Sequence, residues 1–311
     1  MAIKLKDVSA QTSRIAAGHR ACAGCTGPVI LRQALYAAGE HVVCSCATGC
    51  MEVVTTIFPQ TAWRVPFIHN AFENSAATMS GVEAAYRALK RRGKIDKEIN
   101  FIAFGGDGGT YDIGLQSLSG TLERGHNLLY LCYDNEAYMN TGIQRSSATP
   151  LGAETMTARA GKVKAGKEQH RKDIAAIAEA HNIPYVAQSA PHNPRDLMGK
   201  VEKAMSIQGP KFMVCLMPCH VGWRFEMENA IQMAEMAVEC CFWPLFEIEH
   251  GKLKINYKPK EKIPIVEWIK PQGRFKHLFE PKNEHIIEEL QKEVDRKWEE
   301  LLAREARDQT K

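Results

Sequence analysis

Apolar positions along the chain fall into runs of two kinds. The runs at 99–105 (Ile-Asn-Phe-Ile-Ala-Phe-Gly), 127–133 (Asn-Leu-Leu-Tyr-Leu-Cys-Tyr) and 212–217 have the length and continuity of strands buried on both faces, as in parallel sheets. Between the first two, Leu115, Leu118 and Leu122 recur at helical spacing, which predicts a helix over 113–124. The region therefore reads as strand, helix, strand, a single right-handed crossover unit. Further helices are predicted over 29–38, 172–183, 194–207 and 230–242, with a strand at 185–189 and the sheet ending at 212–217. Beyond it, Glu249-His-Gly-Lys predicts a hairpin turn and 258–264 an extended linker. Asn283 is placed to cap a terminal helix whose Ile287, Leu290, Val294, Trp298 and Leu301 share one face. The class is α/β with a mostly parallel sheet and a C-terminal helical extension, divided at 1–240 and 241–311.

Composition narrows this picture. The chain has 311 residues, of which 45% are hydrophobic, and a net charge of +4. That is room for one large α/β domain with an appendage, and the charge, without a long basic block, gives no reason to expect nucleic acid. No run of eighteen apolar residues exists and the N-terminal Met-Ala-Ile-Lys-Leu-Lys-Asp lacks a signal-peptide core. A cytoplasmic protein without a membrane partner is expected. Its ten cysteines exceed what a reducing compartment needs for packing, and point to metal or catalysis.

Candidate chemistry gathers at the carboxyl ends of the two strands of the crossover unit, where open α/β sheets bind ligands. The first ends in Gly106-Asp107-Gly108-Gly109, the second in Asp134-Asn135-Glu136-Ala137-Tyr138-Met139-Asn140. Asp107 offers an anionic oxygen, Asn135 a neutral one and Ala137 its backbone carbonyl, a donor set suited to Mg²⁺ alongside phosphate oxygens. Gly108 and Gly109 are expected to let a diphosphate approach the backbone at a helix start. Gly-Asp-Gly alone also makes ordinary turns; the strand context and the downstream asparagine favour a cofactor, in the pattern of thiamine diphosphate enzymes.

The cysteines divide by setting. Cys22 and Cys25 form a CxxC on a glycine-containing loop, Cys50 follows the turn-like Thr48-Gly49, and Cys219 follows Pro218 at the end of an apolar run. Cys44 and Cys132 fall in predicted strands and Cys240-Cys241 in an apolar helix-like stretch, where free cysteine is a small core residue. The bare pattern leaves zinc and an iron–sulfur cluster both open.

Taken together, these motifs resemble the beta subunit of the multi-subunit 2-oxoacid:ferredoxin oxidoreductases, most closely the pyruvate type. The likeness runs through 18–25, 47–54, Thr61-Ala-Trp63, Ala71-Phe-Glu-Asn74, 105–150, Gly222-Trp-Arg224 and Gln272-Gly-Arg-Phe-Lys-His277. The resemblance implies a three-layer thiamine-diphosphate-binding fold and one [4Fe–4S] cluster held by Cys22, Cys25, Cys50 and Cys219. It implies Mg²⁺ on Asp107, Asn135 and the Ala137 carbonyl, and cofactor contacts from Thr48, Gly49, Gly106, Gly108 and Gly109. Asn140 would face the thiazolium and the substrate. Thr26, where many relatives have glycine, and 150–156 depart from the pattern and leave the substrate open: pyruvate by default, with oxalate (without coenzyme A), 2-oxoglutarate and branched-chain oxoacids as alternatives.

The same resemblance implies coenzyme A as co-substrate, ferredoxin as electron acceptor, and alpha, gamma and delta partner subunits. Neither Glu52 nor Glu73 is a convincing acid for the aminopyrimidine ring, which a partner would supply, and no ferredoxin-type cysteine run is present. A cluster-free thiamine diphosphate lyase is the rival enzyme, and a zinc-stabilised binding scaffold the rival outside enzymes. His19, His69, Arg145, His220 and the basic run 159–172 are secondary candidates, the last expected as a solvated helix face.

Overall fold

The structure, a computed structural model, describes residues 6, 8 and 10–310; most of the N-terminal stretch discussed above lies outside them. The apolar runs become β1 (Val42–Ala47), β2 (Phe67–Asn70), β3 (Asn100–Gly106), β4 (Leu129–Asp134), β5 (Tyr185–Ser189), β6 (Lys211–Leu216), β7 (Phe246–Glu249) and β8 (Lys252–Ile255). They form one sheet in the order β2-β1-β3-β4-β6-β5-β7-β8. The first six strands pair in parallel and the β7–β8 hairpin adds antiparallel. The expectation that the sheet ends at 212–217 is corrected: β6 is interior, and residues after 240 extend the sheet. His250 and Gly251 both have positive φ (48° and 78°), the backbone of a two-residue hairpin that follows the twist of its strands.

Strand alternation sorts the core into two halves. Phe101, Ala103, Tyr130 and Cys132 face one layer of helices with Met79 and Leu118, while Ile102, Phe104, Leu129 and Leu131 face the other with Ile30, Leu31, Leu197 and Val201. Side chains of period two must be apolar on both faces when helices cover both. The result is the expected three-layer arrangement.

Two helix expectations change. The predicted 113–124 helix is Leu115–Glu123, preceded by one π-helical turn, Gly108–Asp112, a wide turn often found at functional sites. The basic run 159–172 is not a helix: a short ordered loop with bridges at Thr155–Ala158 and Ala160–Ala165 replaces it. The terminal helix Glu284–Gln309 forms with Leu290 and Val294 buried, but Asn283 does not cap it with its side chain; its amide donates to the His277 carbonyl at 2.8 Å instead. Among the described residues, no helix is long and apolar enough to cross a membrane.

Candidate active site

Strand order fixes where a ligand can enter. The chain leaves β1 towards β2 on one side and leaves β3 towards β4 on the other, so the carboxyl ends of β1 and β3 flank a topological switch point, the crevice where open sheets bind. Thr48, Gly49, Cys50, Gly106, Asp107, Gly108, Gly109, Asn135, Ala137 and Asn140 all line one cleft there. The sequence candidates for the cofactor, drawn from three loops, are therefore brought together.

Asp107 is 1% exposed. Its Oδ2 accepts from the Ser146 hydroxyl at 2.5 Å and its Oδ1 from the Asn135 backbone N–H at 3.4 Å. Burial pushes its carboxyl well above the usual range, and the nearby Asp134 charge adds to this. A carboxylate so placed calls for a cation to offset its desolvation. The Asn135 amide supplies the geometry: its terminal atom stands 2.9 Å from Asp107 Oδ1 and 2.7 Å from the Ala137 carbonyl oxygen. Turned nitrogen-inward, the amide donates to both. Turned oxygen-inward, it places its oxygen beside both of these oxygens, at separations close to the roughly 2.9 Å expected between adjacent ligands of an octahedral Mg²⁺. The residues present fit the metal.

Glu136 makes that convergence possible. Its φ of 66° is a left-handed conformation that side chains with a Cβ adopt at a cost. The turn is fastened by the Thr149 hydroxyl on the Glu136 carbonyl (2.6 Å) and by the Glu136 N–H on Asp134 Oδ1 (3.0 Å). Arg171 bridges Asp134 (2.6 Å) and Glu136 (3.1 Å), and Arg274 meets the other Glu136 oxygen at 2.6 Å. Sequence reasoning did not find this buried network; Arg171 was assigned to a solvated face.

Packing also requires the two glycines. A Cβ on Gly108 would stand 2.2 Å from the Tyr138 ring, and one on Gly109 2.8 Å from the Phe72 carbonyl oxygen. Close packing around the turn excludes side chains there, whatever a diphosphate requires. Tyr133 also lines the cleft, and its buried Oη has no well-formed hydrogen bond.

The four candidate cysteines come from three segments tied together by hydrogen bonds. Arg20 N–H donates to the Val54 carbonyl at 2.9 Å, and the Thr26 hydroxyl to the Pro218 carbonyl at 3.1 Å. These bonds hold the Cys22–Cys25 loop between the Cys50 helix and the Cys219 turn. Burial raises the Cys25 thiol to about 11, with Cys219 and Cys22 adding to it. It raises Cys50 to about 12, with contributions from Cys219, Cys25, Asp107 and Cys22. The four sulfurs thus feel one another, and Cys50 feels Asp107. Among the described residues no three His, Cys, Asp or Glu side chains form a group that could hold a single metal ion. Thiols at the corners of a cubane cluster need not converge on one point as ligands of one zinc do.

Asn140 is exposed at the lip of the cleft. Other candidates fall outside this arrangement, and Arg145 is exposed. His69, with a side chain 55% exposed, is not a core histidine; it pairs with Glu52 at 2.5 Å on the sheet edge. Glu52 is also engaged by the Thr56 hydroxyl.

Residues 47–215 match the family described as thiamine pyrophosphate enzyme, C-terminal TPP binding domain. The chain is 53% identical to pyruvate synthase subunit PorB of Methanocaldococcus jannaschii, over 91% of this chain and 94% of that protein. It is 52% identical to the PorB subunit of Thermotoga maritima (94% and 92%) and 45% identical to ketoisovalerate oxidoreductase subunit VorB of Pyrococcus abyssi (92% and 91%). Among solved structures, 2-oxoglutarate:ferredoxin oxidoreductase from Magnetococcus marinus shares the fold, with a TM-score of 0.57 at 17% identity over 75% of this chain and 80% of that one.

Proposed function

This chain belongs to the thiamine pyrophosphate enzymes and, within them, to the beta subunits of 2-oxoacid:ferredoxin oxidoreductases; from that premise we propose that it holds thiamine diphosphate, Mg²⁺ and one [4Fe–4S] cluster and oxidatively decarboxylates pyruvate. The observation that carries this reading is that Cys50 and Asp107 line the same cleft. Proximity of the two sets of ligands is what electron transfer between a cofactor and a cluster needs.

When bound, thiamine diphosphate supplies the electron sink for decarboxylation and the cluster accepts electrons singly. The chain's own residues do the holding. Asp107, Asn135 and the Ala137 carbonyl bind Mg²⁺. Gly106 and the helical turn after Asp107 provide backbone that accommodates the diphosphate, with Thr48 and Gly49 on the opposite wall. Cys22, Cys25, Cys50 and Cys219 hold the cluster. Tyr138, Met139 and Phe72 narrow the cleft against water, and Asn140 reaches the substrate from its lip. Glu52 is committed to Thr56 and His69, so the acid for the aminopyrimidine ring comes from a partner subunit. The assembly comprises alpha, gamma and delta partners or fused equivalents, coenzyme A takes the acyl group, and ferredoxin takes the electrons.

A branched-chain 2-oxoacid is the second reading, because a relative as similar as VorB carries the name ketoisovalerate oxidoreductase. The test is iron, zinc and thiamine analysis of the anaerobically isolated complex, followed by substrate-dependent bleaching of its cluster absorption. Pyruvate should bleach it faster than 2-oxoisovalerate, 2-oxoglutarate or oxalate, with turnover requiring coenzyme A. Zinc without iron, or no retained thiamine diphosphate, would sink the cofactor assignment; coenzyme-independent turnover would move the substrate to oxalate.

A further inference from the structure

Two stretches singled out in the sequence, Gly222-Trp-Arg224 and Gln272–His277, contribute nothing to the cleft, yet both end in its foundations. Trp223 is fully buried and closes the short helix His220–Trp223 that starts directly after Cys219. Its indole N–H donates to the carbonyl of Asn135 at 2.9 Å. The guanidinium of Arg274 lies over the same indole, 4.0 Å from the ring centroid. Arg274, 2% exposed, donates through Nη2 to Glu136 at 2.6 Å and through Nε to Gln272 Oε1 at 2.8 Å.

One residue therefore grips the two sides of the site at once. Its hydrogen-bonding edge holds Glu136, the left-handed residue between the Asn135 and Ala137 ligands. Its flat face holds Trp223, on the segment that presents Cys219. Arginine suits this because a planar guanidinium can stack and hydrogen-bond together, which a lysine ammonium cannot. Trp223 closes the loop by contacting the Asn135 carbonyl itself.

We propose that Arg274, with Trp223 and Glu136, is a strut that sets the Mg²⁺-ligand loop and the Cys219 turn in register, making Arg274 a positioning residue for both cofactors while touching neither. The inference rests on the cofactor reading above. Its physical content is that rigid two-point contact transmits a displacement of either loop to the other, so one substitution is felt at both centres.

Arg274→Lys and Trp223→Phe, each prepared in the assembled complex, separate this from a merely structural role. Arg274→Lys keeps the charge but loses the simultaneous stack and hydrogen bonds. It should weaken Mg²⁺-dependent thiamine diphosphate binding at least tenfold and also change the electron paramagnetic resonance line shape and reduction potential of the cluster. Trp223→Phe keeps the ring but loses the bond to Asn135. It should weaken cofactor binding by a few-fold and shift the cluster signal in the same direction as Arg274→Lys but by less. If Arg274→Lys lowers the melting temperature while leaving both cofactor affinity and cluster spectrum unchanged, the strut is only packing and the proposal is overturned. If Arg274→Lys does not assemble, wild-type cofactor affinity in Trp223→Phe overturns it. Absence of iron from the wild-type complex would instead refute the cofactor reading, and the thiamine titrations would still report on the Glu136 side of the strut.

Discussion

Asp107 illustrates how a single residue can be placed against its own stability. Its carboxyl is buried, faces the charge of Asp134 and receives hydrogen bonds from neutral groups, the Ser146 hydroxyl and the Asn135 backbone among them. Removing its charge while keeping its shape relieves desolvation and like-charge repulsion. Asp107→Asn should therefore leave the cofactor-stripped complex as stable as wild type, or stabler by about 1 kcal/mol, in a thermal melt. The same variant should lose Mg²⁺-dependent thiamine diphosphate binding by two orders of magnitude or more in a titration. A variant that loses stability and keeps affinity would show that Asp107 is structural. Asp107 and Asn135 were legible in the sequence because each sits in a recognisable short motif at a strand end. Glu136, Arg171 and Arg274 were not, because their meaning lies in pairing across 35 and 138 residues. A charged residue in an unplaced loop gives no sign that it will be buried.

At the scale of elements, β8 presents the vulnerability of any sheet edge, a row of unpaired backbone groups. The terminal helix covers it in a specific way. Glu305 Oε1 accepts the Ile255 N–H at 2.7 Å and Asp308 Oδ2 accepts the Leu253 N–H at 2.9 Å, so helix carboxylates stand in for a ninth strand. Glu305→Ala should leave the Ile255 N–H without its acceptor and cost about 1–3 kcal/mol, measured by chemical denaturation. The nearby Glu300, which pairs with Arg296 on an exposed face, should tolerate alanine within about 0.5 kcal/mol. Equal effects would mean the helix covers the edge by bulk alone. The apolar face of this helix was readable from its 3.6-residue period. Its role as an edge cover was not, since β7 and β8 are only four residues each and joined a sheet expected to stop at β6. Asn283 failed as a cap for a similar reason: its side chain had a better partner in His277.

Over the whole molecule, the unusual cysteine content sets a response to alkali. Apart from the four proposed ligands, Cys44, Cys46, Cys132, Cys215, Cys240 and Cys241 are all buried. Burial raises each thiol above its ordinary value, Cys240 to about 12 and Cys241 to about 11. In the unfolded chain these thiols ionise near their ordinary value of about 8.5. Between that pH and the raised folded values the native state binds more protons than the unfolded state, so stability falls as pH rises. Each such thiol removes up to about 1.4 kcal/mol per pH unit in that window. Three buried lysines act in the opposite sense. Burial lowers Lys167 and Lys211 to about 8 and also lowers Lys200, so between their lowered values and the ordinary lysine value of about 10.4 the unfolded state binds the extra protons and stability rises. Six groups against three decide the sign. The melting temperature of the cofactor-stripped complex should drop steeply from about pH 9 to 10.5 in the presence of reductant, and replacing Cys132 and Cys215 together by alanine should make that drop shallower even though both cavities lower stability at pH 7. A slope unchanged by the double substitution would place the alkaline sensitivity in the tyrosines or at subunit interfaces rather than in the buried thiols of this core.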